Sequence, residues 1–227
     1  MTVPDSLLND IADLGPNWHG AGTLSDDVLR GIVRLAPVPL TNSAETGTGR
    51  STLLLSHLSS WHTVFTRDDI GDGDSLAKVR TSSLFNAGNV RFIVGPTQQT
   101  VPAHSFEAFL DLVLIDGPHA FPFPELEYYH FYPQIRPGGL LILDDIQIPS
   151  IGFVFRFLSR DDMWTLDEVI GTTAFFRRTN APTFDTLGDG WSLQGYNETI
   201  LKKPRLSWLP ALVRRPLRWL WHQLQRD

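Results

Sequence analysis

Two stretches of this chain are apolar without interruption, and each ends in acid. Leu112-Val113-Leu114-Ile115 runs into Asp116-Gly117-Pro118-His119, and Gly138-Gly139-Leu140-Leu141-Ile142-Leu143 runs into Asp144-Asp145. A half-exposed strand alternates apolar and polar residues, whereas a strand covered on both faces has no polar side. Both runs therefore predict interior strands of a parallel sheet. Shorter patterns over Trp61–Thr66 and Val90–Val94 predict two more strands, and a fifth is expected near Val38–Ala44. Helical patterns lie around them. One starts at Asp5 or Ser6, and a second places Val28, Leu29, Ile32, Val33 and Leu35 on one side behind a Ser25-Asp26-Asp27 cap. Others cover about Arg50–Ser59, Ser75–Asn86, Pro124–Tyr132 and Ser150–Leu158. After Asp145 the pattern changes to two strands, Trp164–Ile170 and Ala174–Arg178, joined by Gly171-Thr172-Thr173 as a hairpin. Alternating strands and helices closed by a hairpin predict an α/β fold. Its sheet is doubly wound, mostly parallel and seven-stranded, with a C-terminal antiparallel hairpin.

Composition narrows the setting. A chain of 227 residues suits one such domain with appendages. The expected division is an N-terminal helical cap over 1–36, a core over 37–180 and a C-terminal extension over 181–227. A net charge of −6 argues against a general nucleic-acid binder, and the absence of cysteine excludes a thiolate nucleophile or a cysteine-ligated zinc site. No basic-then-apolar leader and no apolar stretch of about 18 residues is seen, so a cytoplasmic location is expected. The end of the chain is different. Lys202-Lys203-Pro204-Arg205 leads into a basic segment holding Trp208, Trp219 and Trp221. Residues 202–227 could pack on the body, form a homo-oligomer contact, or lie peripherally on an anionic membrane.

The acids carry the candidate chemistry. In an open α/β sheet, ligands sit beyond the carboxyl ends of the strands. Two neighbouring strands tipped by Asp116, His119, Asp144 and Asp145 would gather three carboxylates and an imidazole on one rim. Like charges that close repel one another unless a cation sits among them, and a hard divalent ion takes oxygen ligands. Magnesium, manganese and calcium share that preference. Each residue also has a plain reading: a helix cap, a strand-end turn, a loop histidine. His57 and His104 have no such neighbours and read as structural, while Phe121 and Phe123, close to His119, are candidates for substrate contact.

A second feature is the turn Glu45-Thr46-Gly47-Thr48-Gly49, which opens the first strand–helix unit. Glycines there let a ligand approach the backbone closely. A dinucleotide fingerprint needs a third small residue where this chain has Thr52, which counts against an NAD(P)-dependent oxidoreductase. Asp68 or Asp69, about 20 residues past the glycines, suits a pair of ribose hydroxyls. Glu45 could hold an ammonium group. Together these features fit a ligand with a ribose and an ammonium but no phosphate.

This ordered set, with Ile115-Asp116-Gly117, Arg136-Pro137-Gly138-Gly139 and the closing hairpin, resembles the class I S-adenosylmethionine-dependent methyltransferases over roughly residues 36–180. The resemblance implies a Rossmann-like fold in which Glu45, Gly47 and Gly49 line the methionine part of the cofactor. It implies Asp68, with Asp69 as substitute, on the ribose, Thr97 and Gln98 near the adenine, and Asp116 at the methyl-bearing end. Asp116-Gly117-Pro118-His119 with Asp144-Asp145 is most similar to the metal-dependent sugar O-methyltransferases of macrolide and aminocoumarin biosynthesis. That similarity implies Asp116, Asp144 and Asp145 as magnesium ligands, His119 as the base and a small-molecule hydroxyl as the acceptor. One departure is the polar stretch Leu40-Thr41-Asn42-Ser43-Ala44, unusual for the first strand of that fold. The rival readings are a metal-independent methyltransferase acting on another acceptor, an oxidoreductase, and a membrane-associated binding module.

Overall fold

A computed structural model of the chain describes residues 5–16, 18, 22–67, 75–183 and 194–197. Its helices are α1 (Asp5–Asp13), α2 (Asp26–Leu35), α3 (Arg50–Leu58), α4 (Ser75–Thr81), α5 (Thr97–Ala103), α6 (Phe123–Phe131) and α7 (Pro149–Leu158). Its strands are β1 (Asn42–Thr46), β2 (Trp61–Thr66), β3 (Val90–Val94), β4 (Leu110–Ile115), β5 (Ile135–Leu143), β6 (Trp164–Ile170) and β7 (Thr173–Arg178). They form one seven-stranded sheet in the order β3-β2-β1-β4-β5-β7-β6. Strands β1 to β5 run parallel, and β7 is antiparallel to both β5 and β6. The α/β fold with its terminal hairpin is the one the hydrophobic pattern predicts.

The period-two geometry of a strand divides the core. Leu112 and Leu114 of β4 face the side covered by α1 to α4, where they meet Ile11, Ile32, Leu54 and Val79. Val113 and Ile115 face α5 to α7 and meet Phe131, Ile151 and Leu158. Helices α1 and α2 thus pack into the same core as the sheet. Ser25 caps α2, its hydroxyl accepting the Val28 N–H at 3.3 Å.

Register builds the rim. Thr46 pairs with Ile115, and Ile115 with Leu143, so three adjacent strands end level. The residues that follow, Gly47, Asp116 and Asp144, therefore stand in a row. The topology reverses here, between β1 and β4, where an open sheet leaves its crevice.

Three expectations on elements are corrected, and one helix is added. The first strand lies at Asn42–Thr46, not Val38–Ala44, so Glu45 and Thr46 belong to the strand and the turn begins at Gly47. The helix expected over Ser75–Asn86 stops at Thr81. The strand read as starting at Gly138 extends back to Ile135, with an irregular register between Leu110 and Leu112. The added helix is α5, over residues for which no helix is expected, with Pro102 in its last turn. Among the described residues, no helix is long and apolar enough to cross a membrane. The segment 202–227 lies outside the described residues.

Candidate active site

The glycine turn is built from below by a buried polar network. Gly47 adopts φ +96°, where a side chain is strained, and a Cβ there would stand 2.5 Å from the Asp116 carbonyl oxygen. The Gly49 N–H donates to the Thr52 hydroxyl at 3.1 Å, and that hydroxyl donates to Glu45 Oε1. Thr52, at the position where a dinucleotide fingerprint wants a small residue, is instead a fully buried brace of the turn. His62 Nε2 lies 3.2 Å from the same Glu45 oxygen, and its Nδ1 lies 2.8 Å from the Ser43 hydroxyl. Glu45 is 0% exposed. Its carboxylate faces α3 and β2 inside the core, with Oε2 unpaired, rather than opening onto the rim as a ligand for an ammonium group.

The acid-tipped strands do converge. One oxygen each of Asp116 and Asp145 and one nitrogen of His119 lie within 4.8 Å of one another. His119 Nε2 is 3.2 Å from Asp145 Oδ2 and 3.8 Å from Asp116 Oδ1. Asp145 takes φ 55°, a left-handed conformation that Asp adopts more readily than most residues. Gln147 Nε2 donates to its Oδ1 at 2.7 Å. Asp144 lines the same cavity but stands outside the three-residue group, and the Thr173 hydroxyl donates to its Oδ1.

Electrostatics at the rim are those of crowded acids. Burial pushes the Asp116 carboxyl up to about 7; His119 opposes this, while Asp144 and Asp145 add to it. Asp144 is also raised, chiefly by burial. His119 is raised through its hydrogen-bonding approach to Asp116, against its own partial burial. A divalent cation would relieve the repulsion, and the carboxylate oxygens of Asp116 and Asp145 are hard donors that fit one. His119 Nε2 is shielded from water with no aligned hydrogen bond, which leaves its lone pair free to take a proton.

A cavity of about 390 Å³ opens beside these acids. Thr23, Leu24 and Ser25 before α2 form one wall, and Gly171, Thr172 and Thr173 of the hairpin form another. Thr97 and Gln98 begin α5 and line a separate narrow cleft with Phe123 and Glu127. Phe121 is 67% exposed, and neither it nor Phe123 lines the acid cavity. His57 is tied to the Leu84 carbonyl and His104 lies edge-on to Phe65. Asp68 and Asp69 lie outside the described residues. Two features escaped the sequence reading: Thr173, whose hydroxyl occupies Asp144, and Glu127, a buried acid on α6 whose carboxyl burial pushes up to about 7. An acid in a helix reads as a solvated residue, and nothing in the sequence marks it otherwise.

Residues 44–146, which hold the turn and every acid of the rim, match the family described as "Methyltransferase domain". Over those residues the chain is similar to that family. No curated protein matches its sequence. Its fold is that of the class I, S-adenosylmethionine-dependent methyltransferases. The O-methyltransferase TomG from Streptomyces achromogenes, involved in tomaymycin synthesis and solved with SAM, superposes with a TM-score of 0.57 at 14% identity. That match covers 79% of this chain and 92% of TomG. The O-methyltransferase from Bacillus cereus, solved with SAH, gives 0.54 at 16% identity over 79% of this chain and 93% of that one. MycE from the mycinamycin biosynthetic pathway, in complex with Mg, SAH and mycinamycin VI, gives 0.50 at 14% identity. There the match covers 81% of this chain but only 57% of MycE.

Proposed function

We propose that this methyltransferase moves the methyl group of S-adenosylmethionine onto a hydroxyl of a small polyhydroxylated molecule, a sugar in particular, with a divalent cation assisting. The observation that carries this reading is the meeting of Asp116, His119 and Asp145 on the rim next to the Gly47 turn. MycE, solved with Mg, SAH and mycinamycin VI, supports it. Gly47 and Gly49 would sit against the methionine part of the cofactor. Asp68 or Asp69 would take the ribose, and Thr97 and Gln98 would approach the adenine.

Asp116 and Asp145, with Asp144 behind them, would hold the cation. When bound, it would supply Lewis acidity that lowers the pKa of an acceptor hydroxyl. His119 takes the hydroxyl proton. The oxygen attacks the methyl carbon in line, the C–O bond forms, and the C–S bond breaks with its electron pair going to sulfur. The products are the methyl ether and S-adenosylhomocysteine. Holding donor and acceptor in that line is the main contribution of the protein.

The cavity walls favour a polyol over a flat aromatic acceptor. Among the described residues no Phe, Tyr or Trp lines the cavity, while Thr23, Ser25, Thr172 and Thr173 present hydroxyls. The Thr23 hydroxyl is shielded and has no partner. A cation-free variant of the mechanism has one observation in its favour. His119 already lies 3.2 Å from Asp145, which alone can orient an imidazole as base.

Calorimetry separates these readings. The chain should bind S-adenosylhomocysteine with or without chelator. It should bind Mn²⁺, and Asp116→Asn with Asp145→Asn should abolish that binding. Turnover with a panel of sugars should stop on adding chelator. Turnover that survives chelation selects the cation-free mechanism, and no affinity for S-adenosylhomocysteine ends the methyl-transfer reading.

A further inference from the structure

The geometry points to Glu127 as a positioning residue that fixes the place of Asp116 on the rim, an inference that rests on the proposed methyl transfer only for its effect on turnover. Glu127 sits on the inner face of α6 and is 2% exposed. An acid at such a place needs a reason, because an apolar residue would fill the space without desolvation cost. Its Oε2 accepts the Thr46 hydroxyl proton at 2.8 Å. The oxygen of that hydroxyl in turn accepts the Asp116 N–H at 3.1 Å. One carboxylate thus reaches the last residue of β1 and, through it, the first residue after β4.

The choice of an acid follows from the single proton of a hydroxyl. Thr46 can donate once. A carboxylate oxygen that claims that proton leaves the lone pairs of Thr46 free to face the Asp116 N–H. Without the acid, the hydroxyl is free to rotate and donate elsewhere, and the Asp116 N–H loses its partner.

The other oxygen of Glu127 adds a steric stop. Oε1 is shielded from water and makes no well-aligned hydrogen bond, the Thr97 hydroxyl being the group that approaches the carboxyl besides Thr46. It lies against Gly117, where an added Cβ would stand 2.4 Å from Oε1 and 2.7 Å from Oε2. Gly47 closes the opposite side, because its own Cβ position is 2.5 Å from the Asp116 carbonyl oxygen. The Asp116 peptide is therefore held at its N–H, at its carbonyl and at the next Cα. Every one of these holds traces to Glu127, Thr46 or Gly47, and the two side chains among them, Glu127 and Thr46, act from beneath the rim.

The test compares Thr46→Val, Thr46→Ser and Glu127→Gln in the full chain. Thr46→Val keeps the shape and removes the hydroxyl; Thr46→Ser keeps the hydroxyl. Amide hydrogen exchange is measured residue by residue, together with Mn²⁺ affinity and the melting temperature. In Thr46→Val, exchange at Asp116 and Gly117 should rise at least about tenfold while Val113 and Leu114 keep their protection. Mn²⁺ affinity should fall on the order of ten- to a hundredfold, as for other groups that orient metal ligands. Thr46→Ser should restore both, and Glu127→Gln, which offers one acceptor and one wrong donor, should fall between. Exchange that stays unchanged at Asp116 in Thr46→Val and in Glu127→Gln overturns the inference. Exchange that rises evenly along β4 also overturns it, since that is loss of packing. If Thr46→Val does not fold, the same comparison is read from Glu127→Gln against the wild type. A wild-type chain that binds neither Mn²⁺ nor S-adenosylhomocysteine would defeat the proposed function, while the exchange pattern would still decide the role of Glu127.

Discussion

Strands β1 and β4 lie side by side at the centre of the sheet, end level, and have almost nothing in common. Strand β4 is Leu-Asp-Leu-Val-Leu-Ile, buried throughout and packed by apolar contacts on both faces. Strand β1 is Asn-Ser-Ala-Glu-Thr, with Ser43 to Thr46 just as buried. Its two faces are held by hydrogen bonds: Ser43 and Glu45 to His62, and Thr46 to Glu127. Even the acid in β4 serves its neighbour, because Asp111 accepts the backbone N–H groups of Thr41 and Asn42 where β1 begins. The difference teaches that a central strand can be specified in two ways. Burying apolar surface is non-directional and favours any close packing. A buried polar network gives little net stability per bond but penalises every arrangement that leaves a group unpaired. The directional strand is the one that sets the glycine turn and the peptide of Asp116.

The contrast can be attacked first in the apolar strand. Leu114→Ala removes a side chain with 0% exposure from a close-packed face. It should lower unfolding free energy by about 3–5 kcal/mol in chemical denaturation, by lost transfer energy plus the cavity left behind. A loss below about 1 kcal/mol would mean that β4 does not anchor the core.

In the polar strand the expected outcome is counter-intuitive. Glu45→Leu raises the hydrophobicity and strand propensity of a fully buried position. It should nevertheless cost about 2–3 kcal/mol, because Thr52 and His62 lose their shared acceptor inside the core. A variant more stable than the wild type would show that the polar strand is tolerated rather than specified. Gly47→Ala should cost less, about 1–2 kcal/mol, for a Cβ forced into a left-handed conformation. Its larger effect should fall on S-adenosylhomocysteine affinity, at least tenfold by calorimetry, since the peptide of Asp116 must move to admit the methyl group.

The same contrast explains what the sequence could disclose. Apolar runs show directly, so Trp61–Thr66, Val90–Val94 and the two acid-tipped strands lie where the pattern puts them. Strand β1 was expected about four residues early, because Val38-Pro39-Leu40 is the apolar piece and the true strand is not. The meeting of Asp116, His119 and Asp145 was legible because it needs only that two neighbouring strands end level. The engagement of Asp144 by Thr173 was not, since it depends on the antiparallel register that pairs Leu143 with Ala174. Glu127 was hidden for a similar reason: its partner lies 81 positions away, and only the fold brings it there.

The smallest expected effect probes the direction of the network. Ser59, Ser43, His62 and Glu45 form a chain of contacts at 2.5, 2.8 and 3.2 Å. A carboxylate at one end can only accept, so the donors run toward it: Ser59 to Ser43, Ser43 to His62, His62 to Glu45. Removing an interior link should then cost more than removing the outer one. Ser43→Ala breaks two contacts and leaves His62 with one buried nitrogen unpaired, for about 1 kcal/mol. Ser59→Ala deprives Ser43 of a donor only, so Ser43 keeps its bond to His62 and the loss should be smaller. The double variant should cost no more than Ser43→Ala alone, because the second hydroxyl has then already lost its partner. Equal and additive losses from the two serines would mean that the contacts are independent, and that β1 is held by scattered pairs instead of a directed chain.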